Sequence, residues 1–190
     1  AALDPLRGKI SAEGARGQAR TLFDLRGQVQ VDTLSQWLGG QQKLPVSGLL
    51  PYRLRLTLDG DDSKLRVDSN LRGVAINLPA PFGKTAQQER DADWRMTLSG
   101  RERRYWANYG ELASLSLAAP PGALADGRGE VVLGGGAAGL PPGQGLRVRG
   151  HLDELDLDAW KQLGSQHPVK VDADSQRLFR SARLDIGRFR

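Results

Sequence analysis

"DGDDSK" (59–64) sets three oxygen-bearing side chains at the spacing of a calcium loop, with Asp59, Asp61 and Ser63 at the first, third and fifth positions. Such a loop needs Gly at the sixth position for its sharp turn and Glu at the twelfth as a bidentate ligand. Those positions hold Lys64 and Asn70, so the segment reads as a hairpin turn. "DELDLD" offers Asp153, Glu154, Asp156 and Asp158, alternating in part with Leu155 and Leu157. Two carboxylates on one strand face can make an acid–base pair or part of a metal site. They would need His or further carboxylates converging from elsewhere, and the nearest is His151. The simpler reading is a solvated strand that leads into a helix cap. Neither His151 nor His167 has the Ser, Asp or Glu spacing of a triad or a zinc helix. With no Cys in the chain, disulfides and thiolate metal sites are excluded.

Two further stretches have the composition of binding segments. "GGGAAGLPPGQG" (134–145) is glycine-rich but lacks the Lys-Ser/Thr of a phosphate loop and precedes a strand, so it reads as a connection. "RERRYWANYG" (101–110) interleaves Arg101, Arg103 and Arg104 with Tyr105, Trp106 and Tyr109. That mixture can stack bases and hold phosphates, or sit at a lipid–water interface. The plainest alternative is an exposed hairpin whose aromatic side packs inward. None of these segments supplies a catalytic, cofactor or metal site, and the expectation is a protein that is not an enzyme.

The elements that would carry such groups are strands. In "YRLRLTL", Tyr52, Leu54, Leu56 and Leu58 share one phase, while Arg53, Arg55 and Thr57 share the other. "LRVDSNLRGVAINL" runs with Leu65, Val67 and Leu71 in phase, then slips so that Val74, Ile76 and Leu78 align. Gly73 stands at the slip, as at a β-bulge. "ADWRMTLSG" alternates through Trp94, Met96 and Leu98, and "ASLSLA", "GEVVLG", "GLRVRGHL", "VKVDAD" and "ARLDIGRF" read as further short strands. The pattern predicts roughly ten strands and little helix. Short helices are expected near 33–38, in "VDTLSQWLGG", and near 158–163, in "LDLDAWKQLG", with Asp158 as N-cap and Gly164 as stop. Each follows an "RG" strand, which suggests a weak repeat of strand, helix and return.

The 190 residues, with 39% hydrophobic side chains, 24 Gly and 10 Pro, suit one turn-rich β unit. Two repeat units, about 1–45 and 46–190, are the alternative division. The net charge of +5 is spread along the chain, a mild bias towards anionic partners or simply a soluble surface. The only methionine is Met96, and strand alternation persists at the last residues. The chain is therefore expected to be a segment, 1–190, of a longer parent.

"LRGVAINLPAPFGKTA", followed at a distance by "LRVRGHLDELDLDAWKQL", resembles the YhdP family of Gram-negative envelope proteins, within the AsmA-like group that includes TamB. The resemblance covers roughly residues 50 to 164. It implies an inner-membrane-anchored parent whose periplasmic part is a long, curled β-sheet with an apolar groove. It also implies a role in moving phospholipid from the inner to the outer membrane.

The fold expected is mainly β: a curled, largely antiparallel sheet, groove-like or an open barrel, with one or two short helices. The candidate groove comprises Leu54, Leu56, Leu58, Leu65, Val67, Ile76, Leu78, Phe82, Trp94, Met96 and Leu98, with Arg53, Arg55 and Arg66 on the other face. Phospholipid acyl chains are the expected partner, with contact to the inner membrane through other parts of the parent. No nucleic acid, metal or cofactor is expected. The competing expectation is a structural or interaction module of the envelope whose β core is filled. Pro79 and Pro81 have no N–H, so they end strand pairing, and Ala80 and Phe82 are expected to carry the apolar face to its rim.

Overall fold

The alternation becomes a single open sheet in a computed structural model, which describes residues 7–15, 18–33, 45–166 and 177–190. The strands are β1 (Arg7–Ala15), β2 (Gln18–Gln30), β3 (Val46–Leu58), β4 (Lys64–Ser69), β5 (Val74–Ile76), β6 (Ala92–Thr97), β7 (Arg103–Tyr109), β8 (Ala113–Ala119), β9 (Arg128–Leu133), β10 (Gly145–Leu152) and β11 (Phe179–Ile186). Helix α1 (Leu157–Gln166) lies between the last two. Ten strands follow one path, β1-β2-β3-β4-β6-β7-β8-β9-β10-β11, and β5 pairs beside β3. The sheet does not close on itself. Of the other expected elements, residues 31–33 are helical. The rest of the helix near 33–38, "VKVDAD" and His167 lie outside the described residues.

From β1 to β9 every pairing is antiparallel. The β3–β4 hairpin closes at "DGDDSK", where the Ser63 hydroxyl accepts from the Asp59 N–H and donates to the Gly60 carbonyl. This serine is therefore part of the turn itself. β10 then pairs parallel with β9 and with β11, which the alternation alone does not reveal. A parallel pair needs a crossover far longer than a hairpin loop, and "GGGAAGLPPGQ" (134–144) provides the first. Ser114 Oγ–H donates to the Gly136 carbonyl at 2.9 Å, and the Glu130 carboxylate accepts from the Gly139 N–H at 2.9 Å. These bonds hold the crossover against the sheet, where Ser114, Ser116 and Val132 are buried.

The second crossover contains α1. Asp156 Oδ1 accepts from the Ala159 N–H at 2.8 Å, so the N-cap is Asp156 and not Asp158, which lies in the first turn. Gly164 does not stop the helix, which continues to Gln166. "DELDLD" is accordingly not a strand with paired carboxylates: β10 ends at Leu152, Asp156 caps, and Asp158 pairs with Lys161 at 3.3 Å. The two strand–helix–strand passages also differ, because β3 returns antiparallel to β2 whereas β11 returns parallel to β10.

The phase slip at Gly73 has a structural counterpart. Arg53 of β3 faces Asp68, while Gly48 faces Val74. Four residues of β3 (49–52) therefore oppose five (69–73), one extra residue as in a bulge. Leu71 (φ 53°) and Gly73 (φ 89°) take left-handed backbone there, so the stretch is two strands joined by a turn.

Each strand packs mainly on its sheet neighbours. Among the described residues the buried apolar ones are Val31, Val74, Leu117, Ala118, Ala119, Val132 and Leu152. The chain exposes 12851 Å², against about 8,900 Å² for a compact monomer of this mass. An open sheet, covered only in part by the 134–144 crossover and α1, contributes to that excess.

Candidate functional site: an apolar face with one roofed end

Cross-strand partners lie on the same face of a sheet, so the register defines rows. One row runs Phe23, Leu56, Leu65, Met96, Tyr105, Leu117, Gly129 and Leu146. The next runs Leu25, Leu54, Val67, Trp94, Ala107, Leu115, Val131, Val148 and Ala182. Both are apolar across at least eight strands. Most of these side chains are only half-buried.

The opposite face reads Asp24, Arg55, Arg66, Arg95 and Trp106 in one row, and Arg26, Arg53, Asp68, Asp93 and Asn108 in the next. Arginines directly opposite each other repel, and the neighbouring aspartates offset this. Arg53 Nε donates to Asp24 at 3.0 Å, Arg66 Nε to Asp68 at 2.7 Å, and Arg95 lies 3.1 Å from Asp93. The hydrogen bond from Arg53 holds the Asp24 carboxyl below the usual carboxylate range, and that from Arg149 does the same for Glu130. This face is a ladder of ion pairs. Within "RERRYWANYG", Tyr105 and Tyr109 share the apolar phase and Trp106 the charged one.

Of the candidate groove residues, Leu54, Leu56, Leu65, Val67, Trp94 and Met96 fall in the two rows, and Arg53, Arg55 and Arg66 lie opposite. Leu58 closes β3, 41% exposed, opposite Thr21. Leu98 lies one residue beyond β6. Ile76 is in β5, facing Val46. Leu78 and Phe82 are outside the strands, in the corner between Ile76 and Lys84, whose backbones pair.

That corner does not carry the face to its rim, because it folds back over it. A Cβ on Gly83 would stand 2.2 Å from the Leu78 carbonyl oxygen, so only glycine lets the chain fold so tightly. Lys84, 6% exposed, donates from Nζ to the Leu71 carbonyl at 2.8 Å and to the Val74 carbonyl. These carbonyls flank the bulge. Burial, and then the charge of Arg90, hold the Lys84 ammonium below its ordinary pKa. Tyr109 extends the phase of Tyr105 and Ala107, and its hydroxyl donates to the Phe82 carbonyl at 2.7 Å. Arg90 Nη1 donates to the same carbonyl at 3.2 Å and to Tyr109 Oη at 2.7 Å, with the guanidinium 4.8 Å from the Tyr109 ring centre. Phe82 then meets Trp160 of α1 edge to face, with ring centroids 6.1 Å apart and planes at 69°.

In a flat sheet β4 and β10 would stand about 24 Å apart, five strand spacings of roughly 4.8 Å. The corner and the helix bridge that span and roof one end of the apolar face. Sequence reasoning missed Lys84, Arg90, Tyr109 and Trp160 as parts of one assembly. The signal was present only as two separate phrases, "LPAPFGK" and "LDLDAW", whose rings turn out to touch.

A smaller cluster joins β10 to β11. His151 Nδ1 lies 3.0 Å from Asp185 and Nε2 3.2 Å from Asp153, all exposed. The bond to Asp185 leads in raising the His151 pKa. Asp185 enters through the parallel pairing, which is why no local motif announced it. The arrangement sets the imidazole between two carboxylates, which favours its protonated form, and brings no nucleophile with it.

No helix among the described residues is long and apolar enough to cross a membrane. No curated protein and no solved structure matches the chain at a significant level. A model of the YhdP protein family matches residues 3–187, beyond both ends of the resemblance in the sequence. With nearly the whole chain covered, this protein belongs to the YhdP family.

Proposed function

We propose that this chain is a periplasmic segment of an envelope protein, one that shelters phospholipid acyl chains on its apolar face during transfer between the inner and outer membranes. Membership of the YhdP family supports an AsmA-like envelope protein. The observation that carries the lipid reading is the pair of apolar rows crossing at least eight strands of an open sheet, half-exposed and backed by charge-paired residues. Each CH₂ taken from water onto such a face gains up to about 0.8 kcal/mol, the value for full burial. A leaflet holds its chains within about half of the 30 Å hydrocarbon core, and an eight-residue strand such as β10 spans about 26 Å. One acyl chain therefore fits along a strand. This role requires no catalytic group, metal or cofactor, and the protein acts as a carrier and not an enzyme.

A second reading, a structural or docking module with a filled core, draws support from the roofed end, where Val74, Lys84 and Leu152 are buried. The two are separated by extracting lipids from purified protein and identifying them by mass spectrometry. Phospholipid co-purifying in a fixed ratio supports the carrier. A lipid-free protein that also fails to take up phospholipid from vesicles supports the module.

A further inference from the structure

We infer that the Phe82–Trp160 pair is an end stop, which admits an acyl chain from the opposite rim as far as the roof and no further while Arg90 holds the corner down. The inference rests on the acyl-carrier reading and adds a length limit to it. Three observations carry it. First, the roof stands over the apolar face and not beside it. Tyr109 is on the apolar phase of β7, and its hydroxyl bonds the Phe82 carbonyl. Second, the two rings come from opposite flanks of that face, one from the corner after β5 and one from the helix after β10, and they meet across it. Third, the two ends of the strands differ. At the far rim Leu58, Leu124 and Phe179 are exposed, whereas at the roofed end Val74 and Leu152 are buried.

The base of the corner is fixed by Lys84 and its backbone pairing with Ile76, whereas its tip at Phe82 is held to the sheet by Tyr109 and Arg90. Arg90 Nη1 reaches the Phe82 carbonyl at 3.2 Å and those of Pro81 and Gly83 at 3.4 and 3.5 Å. Trp160 Nε1–H is buried and has no hydrogen-bond partner among the described residues, so among these the closed roof leaves one donor unsatisfied. Passage of a chain beyond the roof requires the rings to part.

The test uses the 190-residue chain and saturated fatty acids of increasing length, competing with a fluorescent fatty acid. For the wild type, affinity rises about two- to fourfold per methylene, the upper figure being for full burial, and then levels off at the length that meets the roof. Trp160→Ala and Phe82→Ala extend the rise by several methylenes and leave short chains unaffected. Arg90→Gln, which keeps both rings, extends it less. Melting curves verify that each variant is folded, and if one ring variant fails to fold the other two carry the test. Folded variants that level off at the wild-type length overturn the end stop and leave acyl binding standing. A wild type with no saturable binding at any length overturns the carrier reading and the stop together.

Discussion

Leu56→Asp separates an open apolar face from a filled core by magnitude. Leu56 faces Phe23 on one side and Leu65 on the other, and it is half-buried. Full burial of a leucine is worth about 1.5–3 kcal/mol, so half-burial places about 1–1.5 kcal/mol at risk. On an open sheet the new carboxylate keeps much of its water, and the cost of burying an unpaired charge is avoided. The expected loss is about 1–2 kcal/mol, which for a chain of this size lowers Tm by roughly 2–8 °C. In a filled core the same change leaves an uncompensated buried charge and costs about 3–5 kcal/mol or more. Thermal unfolding followed by circular dichroism gives the first number, and uptake of phospholipid from vesicles gives the second. The open-face account expects a folded variant with a modest Tm drop and severely reduced uptake. A variant that fails to fold refutes the open face, and one that folds and takes up lipid normally refutes its role.

Three other expectations follow from the roof and from the β10–β11 edge. Gly83→Ala forces a Cβ to 2.2 Å from the Leu78 carbonyl oxygen. The corner must shift, at a cost of about 1–3 kcal/mol, read by chemical denaturation. Lys84→Met removes the bond to the Val74 carbonyl, at about 1–3 kcal/mol if that group is left unsatisfied, while the Leu71 carbonyl keeps the Val74 N–H at 3.2 Å. The folded-state pKa of Lys84 lies below its ordinary 10.5. The charge therefore opposes folding below the folded pKa, and stability recovers as pH rises from there towards 10.5. The difference between wild type and Lys84→Met should change across that alkaline window, and a pH-independent difference contradicts the burial argument. The pKa of His151 is raised above 6.5, so its stabilisation is complete below that pH and is lost as pH rises through the folded value. Asp185→Asn should lower the His151 pKa, followed by NMR titration of the imidazole; an unchanged pKa contradicts the pin between β10 and β11.

The strands were legible because a one-layer sheet repeats every two residues, and Leu54, Leu56, Trp94 and Met96 announce one face wherever they sit. The bulge was legible from the phase change at Gly73. The parallel placement of β10 was not, because alternation carries no direction; the only sign was a connection, 134–144, too long for a hairpin. The helix cap was misplaced by two residues because Asp156 and Asp158 are equally good caps in isolation, and the end of the β10 strand decides between them. The roof was illegible because Phe82 and Trp160 are far apart in sequence and meet only when the corner folds back. Nothing in the sequence marks Lys84 for burial, yet its position beside the bulge turns it inward to two carbonyls.

Photo-crosslinking along β6 gives the most direct test of the lipid-bearing face. A photoreactive amino acid is placed in turn at Asp93, Trp94, Arg95 and Met96, and the adducts formed in intact cells are identified by mass spectrometry. The register puts Trp94 and Met96 in the apolar rows and Asp93 and Arg95 in the charged ones. The account predicts phospholipid adducts at Trp94 and Met96 and none at the two alternate positions. Adducts at all four positions alike, or at none in a folded protein, would contradict it.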